Sequence, residues 1–306
     1  MSSRVVLAVV AAMLMVMPAL AEEASEVVLY ELVPVSEQVV SAIHDNGSNM
    51  HCVATEAGLV FFDASMSTRV ARRFRSDMEE RFDAPTRALV MTHAHVDHLL
   101  GMGAFSDVPV YAAAAGRPRW DQVLEMEWND AAVARFAAVF PTLPDEIEDA
   151  ELRLPTDWFE DILELGTDDA PLTIHRTGGH TVDSSSAVVG VDNVVIAGDL
   201  VQARRRPYFG EPDTDFDAWI GALEAWETTA PKAVCGGHGP VIDAAELGEI
   251  RRWFQEAAAA MTVLKAQGAT PETIVAEDEL PAGYWPEDGP VPRWWGFCVT
   301  RLFLAS

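Results

Sequence analysis

The stretch Thr92-His93-Ala94-His95-Val96-Asp97-His98 places three histidines and one aspartate close together, directly after an apolar run that predicts a buried strand. Side chains alternate along a strand, so His93 and His95 point to the same side as the strand ends and can bind one metal ion. Asp97 and His98 lie further on, where the chain is predicted to turn into a helix, and suit a second ion. Imidazoles with a carboxylate favour zinc or another borderline metal over calcium or magnesium. The alternative, an accidental cluster of surface or core histidines, does not account for this spacing.

Three later strand ends carry further candidate ligands. Two glycines precede His180, which lets the backbone turn sharply and makes this histidine the natural third ligand of the first ion. Asp199 ends another apolar run, and a carboxylate can bridge two cations. His238 lies between glycines after a short predicted strand and supplies the other imidazole for the second ion.

Two other motifs near these strand ends are open to more than one interpretation. Asp63 ends the apolar strand Leu59–Phe62, and it either bonds a metal-ligand imidazole or caps a helix. The basic run Arg204-Arg205-Arg206 follows Asp199. Arginine binds carboxylate, sulfate or phosphate in a bidentate manner, and the alternative is a solvated loop paired with nearby acids.

Several histidines and cysteines receive no site role from the sequence. His175 is interpreted as structural, and His44 and His51 are left unassigned. The cysteines are odd in number, so at least one is unpaired within the chain, and the sequence does not decide whether the others form a disulfide. They are Cys52, Cys235 and Cys298.

The N-terminus has the pattern of a secretory signal peptide. Arg4 precedes an apolar run, Val5–Met17, and Pro18-Ala19-Leu20-Ala21 gives an A-x-A cleavage site. The run of about 13 residues is short of the roughly 20 that a membrane-spanning helix needs, which disfavours the alternative of an anchor. We therefore expect cleavage after Ala21 and an exported, periplasmic protein with no membrane span.

Composition limits the class of partner. The chain has 306 residues, of which 21 are basic and 48 acidic, for a net charge of −27. Such a charge repels nucleic acid and anionic membrane surfaces, so the expected partner is a small-molecule substrate. The hydrophobic fraction of 49% is ample for a core. The sequence leaves the oligomeric state open.

Residues 22–306 are predicted to form one domain with two additions. The first is a helical insertion over about residues 117–157, which is interpreted as a lid or pocket wall, or alternatively as scaffold. The second is an irregular tail over about residues 270–306, rich in proline and tryptophan. Between them, Phe159–Leu165 is predicted to be one strand that pairs with Leu172–Arg176.

The order and strand-end context of the candidate ligands resemble the metallo-β-lactamase superfamily over about residues 38–268. The resemblance implies an α+β fold, a four-layer αβ/βα sandwich in which two mixed sheets pack face to face with helices outside. It also implies two Zn²⁺ ions, although other divalent metals fit as well. The implied metal ligands are His93, His95 and His180 for one ion, Asp97, His98 and His238 for the other, and Asp199 as the bridge.

A bridging aspartate is shared with glyoxalase II-like thioesterases and lactonases, and it argues against a dedicated β-lactam hydrolase. The resemblance therefore implies an exported dinuclear zinc hydrolase that cleaves an ester, thioester or lactone by a metal-bridging hydroxide. Asp97 is the implied catalytic residue, as acceptor of the proton from the nucleophile. The alternatives are a β-lactam-hydrolysing enzyme, an iron-dependent sulfur dioxygenase on the same fold, and a zinc-binding protein without turnover. The dioxygenases usually use only the first metal position.

Overall fold

The computed structural model describes residues 30–44, 47–126, 133–134, 137, 150–167, 171–190, 192–285 and 291–306. The predicted signal peptide, residues 1–21, lies outside these ranges, as does most of the predicted insertion beyond residue 126. None of the helices in the described ranges has both the length and the apolar character that a membrane crossing requires.

The first sheet has seven strands in chain order, β1 to β7. The pairs from β1 to β4 are antiparallel, and the pairs from β4 to β7 are parallel. Parallel strands end at the same edge of a sheet, which is where ligand sites are usually found. The strands are β1 (Glu31–Pro34), β2 (Val39–Ile43), β3 (Met50–Thr55), β4 (Gly58–Phe62), β5 (Thr86–Val90), β6 (Val110–Ala113) and β7 (Asp157–Phe159).

The second sheet has five strands in the order β12-β11-β10-β9-β8. The pair of β11 and β12 is parallel, and the other pairs are antiparallel. The strands are β8 (Ile162–Glu164), β9 (Leu172–Arg176), β10 (Ser185–Val189), β11 (Val194–Gln202) and β12 (Ala233–His238).

Side chains alternate between the two faces of each strand, so the buried apolar residues form separate layers on the two faces of each sheet. Phe62 and Val90 of the first sheet belong to one buried cluster with Leu172 and Ile196 of the second, so the two sheets pack face to face. The opposite faces of the sheets are covered by helices: α1 and α3 pack on the first sheet, and α4, α5 and α7 on the second. This is the predicted four-layer αβ/βα sandwich. The helices are α1 (Thr68–Phe82), α2 (Val96–Leu99), α3 (Arg117–Glu125), α4 (Phe216–Thr229), α5 (Ala244–Ala266), α6 (Pro271–Glu277) and α7 (Trp295–Ala305).

The long helices begin at polar caps that the sequence supplies. Ser67 accepts a hydrogen bond from the backbone of Val70 at the start of α1. Asp215 and Asp243 cap α4 and α5 in the same way. Such caps satisfy backbone N–H groups that have no partner inside the helix, so they fix where each helix starts.

The C-terminal region differs from its prediction. The sequence predicts an irregular tail over about residues 270–306, whereas the structure forms α6 and α7 there. In α7, Trp295, Cys298, Val299 and Leu302 recur at helical spacing and are buried against the second sheet's helices. The density of prolines and tryptophans before α7 hid this short periodic pattern.

The predicted strand Phe159–Leu165 is divided between the two sheets. β7 pairs with β6 in the first sheet, and β8 pairs with β9 in the second. The predicted pairing with Leu172–Arg176 is therefore right only for β8. All three cysteines are buried and free.

Candidate metal centre

The seven candidate ligands come together at one edge of the sandwich. Residues 92–95 follow β5, and α2 begins at Val96. His180 lies between β9 and β10, Asp199 lies in β11, and His238 is the last residue of β12. The donor atoms form two groups that could each hold an ion. These are His93, His95, His180 and Asp199, and Asp97, His98 and His238.

The first group is built from three imidazoles. His95 Nδ1 lies 3.0 Å from His93 Nε2 and 3.1 Å from His180 Nε2. Ligands that surround a tetrahedral zinc with bonds of about 2.0–2.1 Å lie roughly 3.3 Å apart, so this spacing suits such an ion.

The second group joins a carboxylate to two imidazoles. Asp97 Oδ2 lies 3.1 Å from His238 Nε2 and 3.8 Å from His98 Nε2. Asp199 reaches both groups, because its Oδ2 lies 3.6 Å from His180 Nε2 and its Oδ1 lies 3.1 Å from His98 Nε2. One carboxylate therefore presents one oxygen to each group.

Hydrogen bonds orient the imidazoles of His95 and His180 toward the first group. His180 Nδ1 donates to the carbonyl oxygen of Tyr208 at 2.9 Å, because a carbonyl can only accept. His95 Nε2 donates to the Glu211 carboxylate at 3.2 Å. The hydrogen of each ring is thereby placed away from the group, and His180 Nε2 and His95 Nδ1 keep free lone pairs.

Asp63 and Thr92 orient two further imidazoles. The Thr92 hydroxyl donates to Asp63, so its oxygen accepts from His93 Nδ1 at 3.0 Å. His98 Nδ1 donates to Asp63 Oδ2 at 2.8 Å. The sequence left two roles open for Asp63, and the structure gives it the role of partner to a candidate ligand.

This arrangement fits bound metal and is difficult to explain otherwise. Three imidazole lone pairs of the first group face one another at about 3 Å, which is unfavourable unless a cation lies between them. In the second group, His98 Nε2 and Asp199 Oδ1 are buried and lie 3.1 Å apart, yet they form no hydrogen bond with each other or with another described residue. Buried polar atoms without partners are costly, and a metal bond satisfies them. Neutral imidazoles with carboxylates are a donor set that suits zinc.

Burial and charge set the protonation of the ligands. Burial holds the pKa of His93 well below its usual range and lowers that of His180 to about 3, so both rings stay neutral. Burial opposes the charged form of His98, but the nearby Asp63 and Asp199 carboxylates outweigh it and raise its pKa. Burial would raise the pKa of Asp97, yet His98 and His238 bring it below its usual range, so this carboxylate stays ionised.

Glycines allow the ligand strands to approach one another. Gly179 has φ of +96°, a backbone conformation that side chains rarely permit, and it turns the chain into His180. A Cβ atom at Gly237 would collide with Asp199 Oδ1. Glycine at this position lets β12 bring His238 close to the Asp199 carboxylate.

A cavity of about 610 Å³ opens onto the ligand groups. Its polar side carries His95, Asp97, Asp199 and His238. Its apolar side is formed by Val123 and Met126 at the end of α3, and by Trp294 and Phe297 at the start of α7. Because α3 begins the predicted insertion, this part of the insertion does form a pocket wall.

Two acidic residues contact the loop that carries His93 and His95, and neither was assigned this contact from the sequence. Glu211 contacts His95 and also accepts from Arg119 Nη1 at 3.0 Å and from the Tyr208 hydroxyl at 3.2 Å. Asp183 accepts from the backbone N–H of Ala94 at 3.0 Å and so holds the ligand loop. Both lie in loops far along the chain from their partners, and no local pattern marks them.

The family model described as the metallo-beta-lactamase superfamily matches residues 45–238. The chain belongs to the metallo-beta-lactamase superfamily. The matched span contains all seven candidate ligands and strands β3 to β12. A comparison with functionally curated proteins found no match.

Several solved structures share this fold. The sec-alkylsulfatase Pisa1 from Pseudomonas sp. is 16% identical, with 90% of this chain and 50% of that chain covered and a TM-score of 0.66. A metallo-beta-lactamase from Pontibacter korlensis is 20% identical, with 74% and 99% covered and a TM-score of 0.55. Another from Erythrobacter litoralis is 16% identical, with 74% and 97% covered and a TM-score of 0.54. The chain spans about half the length of the sulfatase structures it matches.

Proposed function

We propose that this superfamily member is an exported dinuclear zinc hydrolase that cleaves an ester-like bond of a small molecule, namely an ester, a thioester or a lactone. The observation that carries the proposal is the position of Asp199. Its two carboxylate oxygens lie beside different ligand groups, His180 on one side and His98 and His238 on the other. A bridging carboxylate of this kind suits two metals that act together.

The ligand set also weighs against the alternative activities. A sulfur dioxygenase that uses only the first position would not need the second group, which here is complete and buried. The carboxylate bridge of Asp199 disfavours a dedicated β-lactam hydrolase, since it is the feature shared with thioesterases and lactonases. A β-lactam side activity remains compatible with the same site.

The chain's own residues supply binding, orientation and proton transfer. When bound, zinc ions make a water more acidic and polarise a substrate carbonyl. Asp97 lines the cavity, stays ionised beside His98 and His238, and accepts the proton that an attacking water releases. The apolar side chains of Val123, Met126 and Trp294 exclude water from the cavity and hold the non-reacting part of the substrate.

The test combines metal analysis with a substrate panel. The purified mature protein is analysed for metal content and then assayed with a lactone, a thioester, a phenyl ester, an alkyl sulfate and a cephalosporin. The expected result is about two zinc ions per chain and a preference for one of the carbonyl substrates, namely the lactone, the thioester or the phenyl ester. One iron per chain without hydrolysis would overturn the proposal, and so would two zinc ions with turnover of the sulfate or cephalosporin alone.

Export is a separate part of the proposal and has its own test. It rests on the A-x-A site that ends at Ala21 after the apolar run. Cell fractionation followed by mass spectrometry of the intact protein should find a periplasmic chain that begins at Glu22. A cytoplasmic chain that retains residues 1–21 would contradict export without affecting the assigned chemistry.

A further inference from the structure

The three arginines that follow β11 have different surroundings. Arg204 pairs with Glu246 at 2.5 Å. The guanidinium of Arg206 lies over the rings of Trp285 and Trp295, at 5.2 and 5.0 Å from their centroids. Both side chains are therefore engaged by the protein itself, although only Arg204 pairs with an acid as the solvated-loop interpretation expects.

Arg205 differs from both neighbours. It is exposed, and it lines the metal-centre cavity together with Asp199 and His238. No hydrogen bond or ion pair joins it to another residue in the part of the chain that the structure describes. Acidic residues outnumber basic ones by 48 to 21 in this chain, so partners for an arginine are abundant. Because Arg205 lines the cavity and has no such partner among the described residues, its guanidinium is available to a ligand.

The other arginine of this cavity is already neutralised. Arg119 bonds Glu211 at 3.0 Å and also pairs with Asp213. Arg205 is thus the cavity guanidinium that has no carboxylate beside it within the described ranges.

We infer that Arg205 determines specificity by binding an oxyanion on the substrate, so that the substrate is an ester-like molecule with an anionic group at one end and an apolar body. The guanidinium fork fits a carboxylate, sulfonate or phosphate in a bidentate manner. The apolar body lies against Val123, Met126 and Trp294 on the other side of the cavity. This inference rests on the proposed hydrolase activity and adds the substrate class to it.

The kinetic test uses matched substrates and a matched variant. Phenylalkyl esters or thioesters that end in a carboxylate, in a sulfonate or in a neutral amide are compared in the zinc-loaded protein. We expect the wild type to prefer the anionic substrates by about 10-fold in kcat/KM, mainly through KM, because hydrogen bonds from the guanidinium to a charged group strengthen substrate binding. The preference should weaken at high salt. Comparison of kcat/KM for the carboxylate-ended and sulfonate-ended substrates shows which oxyanion the site prefers.

Arg205→Gln should lower kcat/KM for the anionic substrates by about 10-fold relative to the amide-ended substrate, and so remove the preference. Arg204→Gln is the control, because it makes the same change one residue earlier on a side chain that pairs with Glu246. An equal loss for charged and neutral substrates in Arg205→Gln would overturn the inference, and so would a wild type without any anionic preference.

Binding measurements keep this inference separate from the proposed activity. Calorimetry with 4-phenylbutyrate and its neutral amide needs no turnover. Weaker binding of the carboxylate to Arg205→Gln, but not to Arg204→Gln, supports the anion site even if no ester is hydrolysed. Equal binding to the wild type and both variants refutes the anion site even if hydrolysis is found.

Discussion

Asp63 Oδ2 accepts a hydrogen bond from His98 Nδ1 at 2.8 Å, and the two side chains are only 1% and 0% exposed. Because an ionised carboxylate can only accept, His98 carries a hydrogen on Nδ1, and its Nε2 atom is the one that faces the second ligand group. Asp63 also accepts from the backbone N–H and the hydroxyl of Thr92, both at 2.8 Å. A single carboxylate at the end of β4 therefore orients ligands of both groups.

Asp63→Asn should weaken metal binding at the second group. Asp63 has φ of +57°, which asparagine tolerates, so the backbone is kept while the negative charge is lost. Loss of such a partner typically lowers metal affinity 10–100-fold. The measurement is zinc bound per chain after dialysis against limiting zinc, where we expect a fall from about two ions toward one.

Asp243→Asn is the control for this variant. Asp243 caps α5 away from the ligands, and asparagine caps a helix equally well. It should bind zinc like the wild type. Full zinc occupancy in Asp63→Asn under the same dialysis would show that the hydrogen bond to His98 has no bearing on metal affinity.

The clustering of the candidate ligands was predictable because most of them follow from a local pattern, whereas the sandwich was predicted from the resemblance to the superfamily. His93 and His95 alternate at a strand end, and the neighbouring glycines of His180 and His238 mark tight turns. The same physics explains the layers, since alternating apolar residues such as Phe61 and Phe62 face opposite sides of one sheet.

The remaining features depend on contacts between distant parts of the chain. Glu211 and His95 are 116 residues apart, and a lone glutamate in a loop gives no sign of such a contact. The predicted strand Phe159–Leu165 is divided because two sheets each offer an edge strand to it. β6 of the first sheet pairs with β7, and β9 of the second sheet pairs with β8. The three arginines look alike in sequence and differ only in what lies beside them.

Glu211→Gln should loosen the first ligand group. The Glu211 carboxylate accepts from His95 Nε2 and is held by Arg119, and burial would raise its pKa were it not for these two contacts, which lower it. Glutamine keeps the shape but removes the charge that favours the His95 donor. We expect about a 10-fold loss in zinc affinity at the first group, measured by competition with a chromophoric chelator.

Glu246→Gln is matched to this variant, because Glu246 also pairs with an arginine but lies on α5. It should leave zinc affinity at both groups as in the wild type. If Glu211→Gln and Glu246→Gln bind zinc equally well, Glu211 has no part in orienting His95.

His95→Ala and Asp199→Asn should each reduce hydrolysis by about 10²–10³-fold with little change in fold, because each removes an electrostatic contribution from the site. Asparagine has nearly the size of aspartate, so the close packing of Asp199 against Gly237 is kept. The measurements are kcat/KM on the preferred substrate and far-ultraviolet circular dichroism. His175→Ala, on β9 and outside both ligand groups, should stay active. Wild-type turnover in Asp199→Asn would contradict the proposed dinuclear chemistry.

His51 should make the free energy of unfolding depend on pH, although it lies in neither ligand group. Its ring is 1% exposed and bonds Ser41 at 2.9 Å, and burial lowers its pKa to about 4 from the ordinary 6.5. Between pH 6.5 and pH 4, His51 is therefore protonated in the unfolded chain but stays neutral in the folded chain. The folded state loses stability as the pH falls through this window, by up to about 3 kcal/mol from this residue.

His51→Gln should make that loss smaller, because glutamine does not titrate. Urea unfolding at pH 7, 6 and 5 measures the free energy of unfolding of both proteins. Prior treatment with a chelator removes any contribution from metal release. The other buried histidines are present in both proteins, so their contribution cancels in the comparison. His175→Gln is the control, since it replaces a partly exposed histidine on β9 and should keep the wild-type slope. If His51→Gln and the wild type lose stability equally as the pH falls, the folded protein binds the His51 proton as readily as the unfolded chain does. That result would contradict a lowered pKa for the buried ring.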